Sequence, residues 1–264
     1  FTGSDFVVLE GDEYDTAFFD KRSKFLHYLP EVVVINNIEF DHADIYNSLD
    51  EIKLTFKRLL NIVPRNGMAF VNGDCVNTMD VASDGPAPIT TVGLGAKCDL
   101  QITDIDYGRE NTSFVLDGEH YVLPMAGEFN VRNAAMAICT ASFSGFSADE
   151  IRDGLASFEG IARRQEVRGI AGGVRVIDDF AHHPTAIGLA VDSLRQQYPD
   201  SRLWVIFEPR SNTTRRNVFQ DDLANALSKA DLVVVPAVPD PEKVAEQDRL
   251  DPHKLVSDIQ ASGT

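Results

Sequence analysis

The sequence predicts an α/β protein, with a mostly parallel sheet and a small antiparallel sheet followed by a Rossmann-like domain. Two observations lead to this fold class. Short apolar runs rich in β-branched residues alternate with longer amphipathic stretches, and near residue 167 the alternation restarts in a regular strand–helix order. The composition agrees, because 44% hydrophobic and 25% charged residues in a chain of 264 are ordinary for a folded globular protein.

The first part of the chain predicts buried parallel strands at residues 6–9 (FVVL) and 32–35 (VVVI), because both are short continuous apolar runs. Apolar residues recur at helical spacing over residues 48–63, and Pro64 predicts the end of that helix. Further strands are expected at residues 68–71, 89–94, 99–107, 112–118 and 120–125, with a hairpin turn at Asp117-Gly118. Helices are expected at residues 130–144 and 149–158, the second with Ser147 as its N-cap.

The second part predicts a hairpin, at residues 167–171 and 174–177, that leads into a regular alternation of helices and strands. Helices are expected at residues 184–197, 218–230 and 252–262, and strands at residues 203–207 and 232–235. This order is typical of a doubly wound domain. We therefore place a domain boundary between residues 166 and 167, which divides the chain into domains 1–166 and 167–264.

Charge and cysteine content exclude several classes of protein. The net charge of −17 repels phosphate backbones, so we expect no nucleic-acid partner. No run of 18 apolar residues is present, so we expect no membrane span. Three widely spaced cysteines favour neither a disulfide framework nor a zinc site; we expect buried thiols in a reducing compartment, the cytoplasm.

Acidic side chains follow the first two predicted strands. Residues 10–15 (EGDEYD) begin with Glu10, and residues 37–42 (NIEFDH) end in an Asp41-His42 pair. Ligands of open α/β sheets bind at the carboxyl ends of strands, and carboxylates suit Mg²⁺ held together with substrate phosphates. The alternatives are a solvated acidic loop for the first segment and a helix N-cap at Asp41 for the second.

Four more segments carry candidate binding residues. Asn130 and Asn133 share one face at a helix start, where their amides could read a base edge; a plain N-cap is the alternative. Arg163-Arg164 stand at the domain junction, where they could bind phosphate or form an interdomain salt bridge. Asp179 and His182 follow the strand ending near residue 177. Residues 208–213 (EPRSNT) could form a carboxylate pocket or a capped turn.

Together these motifs resemble the Mur ligase family, the ATP-dependent amino-acid and peptide ligases of cell-wall synthesis. The resemblance rests on five motifs in order: an acidic strand end, N-x-x-x-D-H, G-x-x-N-x-x-N-A-A, F-x-G-x-x-x-R and D-D-x-x-H-H-P. It covers residues 6–264. Residues 10–25 and 208–213 are similar to the branch that joins a murein tripeptide, L-Ala-γ-D-Glu-meso-diaminopimelate, to UDP-N-acetylmuramate.

The resemblance implies a Mur-ligase-like central ATPase domain, incomplete here, before the Rossmann-like domain. Family members carry a G-x-x-G-K-[ST] phosphate loop that this sequence lacks, so we expect little ATP turnover from this chain alone. Several members also use a carbamylated lysine on the helix after the D-H motif. Phe56 occupies that position here, with Lys57 one residue further on.

The resemblance assigns roles residue by residue, with ATP and Mg²⁺ as cofactors. Glu10 and His42 would bind Mg²⁺, supported by Asp41 and Asn37. The implied ATP contacts are Asn130, Asn133, Arg164, Asp179 and His182, and the implied catalytic residues are His42, Arg164 and Glu10. The incoming peptide would face Arg210, Ser211 and Asn212.

The implied reaction activates the muramyl carboxylate as an acyl phosphate, which the peptide amine then attacks. UDP-N-acetylmuramate and the murein tripeptide are the implied substrates. A muramate–alanine ligase, a folylpolyglutamate-type ligase and a non-catalytic nucleotide-binding module remain as alternatives. The choice of substrate separates the ligases from one another, and ATP turnover separates them from a binding module.

Overall fold

The computed structural model describes residues 5–82, 85–109 and 111–263. It divides into two compact units, Phe1–Thr91 and Val92–Thr264. This division does not test the predicted domain boundary between residues 166 and 167, which stays a prediction. Among the helices of the described ranges, none is long and apolar enough to cross a membrane.

The first unit is built on parallel strands. Its elements are β1 (Asp15–Ala17), β2 (Asp20–Ser23), β3 (Val32–Ile35), α1 (Leu49–Ile62), β4 (Met68–Asn72), α2 (Val76–Val81) and the start of β5 (Ile89–Gly93). β3 pairs in parallel with β4, and the strand order is β3-β4-β5. β1 and β2 form a separate antiparallel hairpin. The predicted strands at residues 32–35 and 68–71 are therefore confirmed.

Helix α1 forms where the periodicity predicts it. The Ser48 side chain accepts a hydrogen bond from the Glu51 backbone N–H and so caps the helix. The helix ends at Val63, whose extended backbone is the conformation preferred before a proline such as Pro64. The apolar face of α1 joins β3 and β4 in one buried cluster, which includes Ile35, Ile52, Phe56, Leu60 and Val71.

The strand predicted at residues 6–9 is wrong. These residues form no strand, and Val8 is 92% exposed. An apolar run becomes a buried strand only where a neighbouring strand takes up its backbone hydrogen bonds, and residues 6–9 pair with no strand although β3 stands at the end of the sheet order. The β1–β2 hairpin and helix α2, in contrast, were not predicted, because their short segments carry no clear hydrophobic period.

The second unit contains the remaining elements. They are the end of β5, β6 (Leu100–Tyr107), β7 (Thr112–Leu116), β8 (Glu119–Leu123), α3 (Glu128–Phe143), α4 (Ala148–Ala156), β9 (Glu166–Ala171), β10 (Val174–Asp178), α5 (Pro184–Gln197), β11 (Trp204–Ile206), α6 (Gln220–Leu227), β12 (Leu232–Val234) and α7 (Pro252–Ala261). β5 pairs in parallel with β6, whereas β6, β7 and β8 form an antiparallel meander. Asp117 and Gly118 make the predicted hairpin turn with positive φ angles of 53° and 76°.

Two short sheets and three helices make up the last part of the second unit. β9 and β10 form the predicted hairpin, and β11 pairs in parallel with β12. Helices α5, α6 and α7 bury Ile187, Leu223 and Leu255. The α/β class is confirmed. Within the described residues, the parallel sheet of the predicted Rossmann-like part has two strands, β11 and β12. Strand β10 pairs only with β9, in the hairpin.

Candidate active site

The D-H motif lies in the loop between β3 and α1, and its histidine faces the acidic segment before β1. His42 Nε2 lies 3.7 Å from Glu13 Oε2, an ion-pair distance that exceeds a direct hydrogen bond. The Tyr14 ring packs on the imidazole with centroids 4.4 Å apart. His42 has a left-handed backbone with φ of 53°, and its carbonyl accepts hydrogen bonds from the N–H groups of Ile45 and Tyr46.

Nearby carboxylates raise the pKa of this histidine. Burial of the ring alone would lower the pKa of His42. Contact with Glu13, together with the negative charges of Asp41 and Asp44, outweighs this effect and raises the pKa above its ordinary value. The imidazole is therefore protonated more readily in this site than it would be in water.

Glu13 is the acidic residue that the structure brings to His42, whereas the resemblance points to Glu10. Glu10 is exposed, and no contact between it and His42 is described. Glu13 belongs to the acidic run of residues 10–15, but the sequence motif assigns it no role. Nothing in the local pattern separates the carboxylates of the run, because only the fold determines which one meets the histidine.

Mg²⁺ is the metal ion that the resemblance implies for the side chains around His42. Within residues 5–82, 85–109 and 111–263, no group of three or more His, Cys, Asp or Glu side chains could hold a metal ion. Mg²⁺ in phosphate chemistry needs only one or two protein carboxylates, because waters and phosphates complete its shell. The partly exposed Glu13 carboxylate fits that role. The His42 imidazole is a weaker ligand for so hard a cation.

The acidic segment is held in place by β2 and the turn after it. Lys24 Nζ donates to Asp12 Oδ2 at 2.7 Å, and the Tyr14 backbone N–H donates to Asp12 Oδ1 at 2.8 Å. These contacts hold the pKa of Asp12 below its ordinary value, the Lys24 hydrogen bond being the main cause. Asp12 therefore acts as a charged anchor for the segment.

The loop that carries His42 is anchored independently. Asn77, on α2, donates from Nδ2 to the backbone carbonyl of Ile38 at 2.8 Å, and the Ile38 side chain is buried. Asp41 accepts from the His42 backbone N–H at 2.7 Å. Asp41 is not the helix N-cap that we considered, because Ser48 caps α1. Asn37 donates to Glu39 at the surface.

The two asparagines of the G-x-x-N-x-x-N motif differ in their surroundings. α3 begins at Glu128, two residues earlier than predicted, with Gly127 as its N-cap. Asn130 is therefore inside the helix and buried, and its Nδ2 donates to the Ala126 carbonyl at 2.7 Å. Asn133 lies on the exposed surface. The plain N-cap alternative for Asn130 is therefore wrong.

The arginine pair and the D-D motif lie together in the second unit. Asp179 accepts hydrogen bonds from the backbone N–H groups of Gln165 and Ala181, at 3.0 and 2.7 Å. Both guanidinium groups lie near the Phe180 ring, that of Arg163 at 4.9 Å and that of Arg164 at 5.5 Å from the ring centroid. Asp179 thus connects the arginine segment to the D-D loop, and Arg164 is exposed beside it.

The two histidines that follow Asp179 have different surroundings. His182 Nδ1 lies 3.2 Å from the Phe180 carbonyl, and its ring packs edge-on against Phe180. His183 caps α5, because its Nδ1 accepts from the Thr185 backbone N–H, and it packs on Phe219. His182 therefore belongs to the Asp179 loop, whereas His183 has a structural role.

The structure favours the capped-turn alternative for part of the residue 208–213 segment. Ser211 Oγ accepts from the Thr214 backbone N–H at 3.1 Å and lies 2.8 Å from Thr214 Oγ1. Arg210 and Asn212 are exposed, and the Arg210 guanidinium lies 4.0 Å from Glu208. Ser211 therefore stabilises the turn that presents these two exposed side chains.

Phe56 belongs to the core and packs against Phe25, with ring centroids 5.5 Å apart. Lys57 follows it on α1 and is half-buried. The neighbouring positions therefore have different environments, as the periodicity of α1 predicts.

The three cysteines are free, but only Cys139 is buried as predicted; Cys75 and Cys98 are half-buried. Burial raises the pKa of Cys139 to about 12. Burial also acts on Cys75, but hydrogen bonds from Thr78, Ile38 and Asn77 outweigh it and lower the pKa of Cys75.

Brief treatment of the native protein with iodoacetamide at pH 8 should therefore alkylate Cys75 well before Cys139. The reason is that the thiolate is the nucleophile and Cys139 stays a neutral thiol. Mass mapping of the peptides over time measures both rates, and a denatured sample is the control in which the two rates should converge. Equal labelling in the native protein would contradict this assignment.

Two family models match this chain. The family model described as Mur ligase middle domain matches residues 2–141, and the one described as Mur ligase, glutamate ligase domain matches residues 163–263. The UDP-N-acetylmuramate--L-alanyl-gamma-D-glutamyl-meso-2,6-diaminoheptandioate ligase of Escherichia coli is 40% identical over 87% of this chain and 51% of its own. The UDP-N-acetylmuramate--L-alanine ligase of Salinibacter ruber is 34% identical over 88% and 48%.

Among solved structures, a murein peptide ligase from Psychrobacter arcticus is similar, with a TM-score of 0.64 and 31% identity. That match covers 96% of this chain and 52% of the other. The chain thus spans about half the length of the curated relatives it matches. The two family models, matching in order along the chain, identify it as a member of the Mur ligase family that carries the middle domain and the glutamate ligase domain.

Proposed function

We propose that the protein to which this chain belongs is an ATP-dependent ligase that joins L-Ala-γ-D-Glu-meso-diaminopimelate to UDP-N-acetylmuramate. Such a ligase would serve cell-wall recycling in the cytoplasm. The observation that carries the choice of substrate is the 40% identity to the Escherichia coli tripeptide ligase, against 34% to the Salinibacter ruber alanine ligase. The resemblance of residues 10–25 and 208–213 to that branch supports the same choice.

The proposed reaction has two steps. A carboxylate oxygen of the muramyl group attacks the γ-phosphorus of ATP, and ADP leaves, which forms an acyl phosphate. The α-amine of the tripeptide then attacks the acyl carbon, loses a proton and expels inorganic phosphate. In such reactions the protein contributes mainly by positioning the reactants and neutralising charge.

In the first unit, we assign Glu13, with His42 and Glu10, to Mg²⁺. The ion, when bound, would offset negative charge on the ATP phosphates. His42 would bind the ion as the neutral imidazole, because a protonated ring has no lone pair for a metal; without the ion, the nearby carboxylates favour its protonated form. Glu13 would position the imidazole through their contact at 3.7 Å.

In the second unit, we assign Asp179 and His182 to the nucleotide ribose, Arg164 to phosphate, and Asn130 with Asn133 to adenine. Each Asp179 oxygen already accepts one backbone N–H, and a carboxylate oxygen has a second lone pair for a ribose hydroxyl. Asn130 retains its carbonyl oxygen and one amide hydrogen beyond the bond to Ala126. Exposed Arg210 and Asn212 are the candidates for the peptide, on the turn that Ser211 stabilises.

A substrate-competition assay tests this proposal. The protein containing this chain is incubated with ATP, Mg²⁺, UDP-N-acetylmuramate and equal amounts of the tripeptide, L-alanine and L-glutamate. We expect the tripeptide adduct, by mass spectrometry, with ADP and phosphate in equal amounts. An L-alanine adduct would instead identify the muramate–alanine ligase. ATP binding with no adduct from any acceptor would identify a nucleotide-binding module.

A further inference from the structure

Tyr46 contacts both of the segments that meet at the Glu13–His42 pair. Its backbone N–H donates to the His42 carbonyl at 3.0 Å. Its phenol hydroxyl donates to the Glu13 carbonyl at 2.9 Å. One side chain therefore connects the loop that carries the histidine to the segment that carries its carboxylate partner.

The phenol hydroxyl has a defined hydrogen-bonding arrangement. Tyr46 Oη lies 2.8 Å from Ser23 Oγ, and Ser23, on β2, is 3% exposed. Because the single phenol hydrogen is donated to Glu13, the Ser23 hydroxyl must be the donor in the second contact. The Tyr46 ring packs against the buried cluster of the first unit, which restricts its position.

We propose that Tyr46 is a positioning residue that determines where Glu13 lies relative to His42. The Glu13 carbonyl accepts the hydrogen bond from Tyr46, and the Glu13 carboxylate contacts His42. A shift of the backbone carbonyl therefore also moves the carboxylate. The Tyr14 ring, next in sequence to Glu13, would move with it against the imidazole. The inference rests on the proposed function for its kinetic part only, because the contact itself does not depend on a substrate.

Tyr46→Phe tests the inference, because it removes the hydroxyl and retains the ring. Two measurements are made: the imidazole resonances of His42 in a long-range ¹H–¹⁵N spectrum, assigned with His42→Asn, and kcat in the competition assay. We expect displaced His42 resonances and a kcat lowered about tenfold, with KM for ATP changed less than about twofold, as for residues that orient a metal site. Tyr28→Phe, at an exposed tyrosine, is the matched control and should change neither.

Ser23→Ala is the second variant, since it leaves the hydrogen bond from the Tyr46 hydroxyl to the Glu13 carbonyl in place. It should displace the His42 resonances less than Tyr46→Phe does. Unchanged His42 resonances together with an unchanged kcat in Tyr46→Phe would overturn the inference. A lower melting temperature with unchanged His42 resonances would also overturn it, because Tyr46 would then have a purely structural role. If the protein ligates none of the three acceptors, the proposed function fails, and the His42 resonances alone decide the inference.

Discussion

We expect His42→Asn to lower kcat of the ligase reaction about 100-fold while the protein still folds, the loss typical when a side chain that holds a metal or stabilises charge is removed. Asparagine is the appropriate replacement, because His42 has a φ of 53° and asparagine tolerates this left-handed conformation. The carbonyl of residue 42 can then keep its hydrogen bonds from Ile45 and Tyr46. The imidazole beside Glu13 is lost.

The measurement is steady-state turnover at saturating substrate, together with the melting temperature. His27→Asn is the matched control, since His27 also lies beside a carboxylate, 3.0 Å from Asp20, and within the described residues it makes no hydrogen bond or ion pair with Glu13 or His42. The control should retain wild-type kcat. A His42→Asn variant with wild-type kcat would remove His42 from the catalytic machinery, whatever the reaction.

Gly127→Ala should be among the most destabilising single substitutions in the second unit. Gly127 has a φ of 95°, and a Cβ there would lie 2.5 Å from Ser193 Oγ and 3.0 Å from a ring carbon of Phe129. Ser193 lies on α5 and is buried, which leaves it little space to move. Strain and overpacking together cost about 2–5 kcal/mol.

Gly118→Ala separates the two contributions. Gly118 has a similar φ of 76°, but nothing lies within 4 Å of the Cβ position, so only the backbone strain of about 1–2 kcal/mol remains. Thermal unfolding measures both variants, at roughly 2–4 °C per kcal/mol for a unit of this size. Adding Ser193→Gly to Gly127→Ala should recover part of the loss, as expected for residues in contact. Equal losses in the two alanine variants would show that Ser193 does not restrict Gly127.

Local sequence patterns predicted several elements with nearly correct bounds. The prediction of a helix at residues 184–197 matches α5, which spans Pro184–Gln197. Ser147 caps α4 as predicted, and Glu150 completes a capping box with it. Hydrophobic period, caps and turn residues act over a few positions, so the sequence shows them directly. Hairpin β1–β2 has no such signal, because its two short strands are mostly polar.

The sequence by itself determined the α/β class, the order of most elements from β3 onward, the family and the segments that carry candidate chemistry. Only the tertiary structure decided which members of those segments meet: Glu13 rather than Glu10 at His42, and Tyr46 between them. It also decided that residues 6–9 are exposed. It further decided that the Asn130 side-chain amide donates a hydrogen bond to the Ala126 carbonyl, just before helix α3. The physical reason is separation along the chain. Residues 13 and 46 share no local pattern, and their contact exists only because β2, β3 and α1 pack as they do.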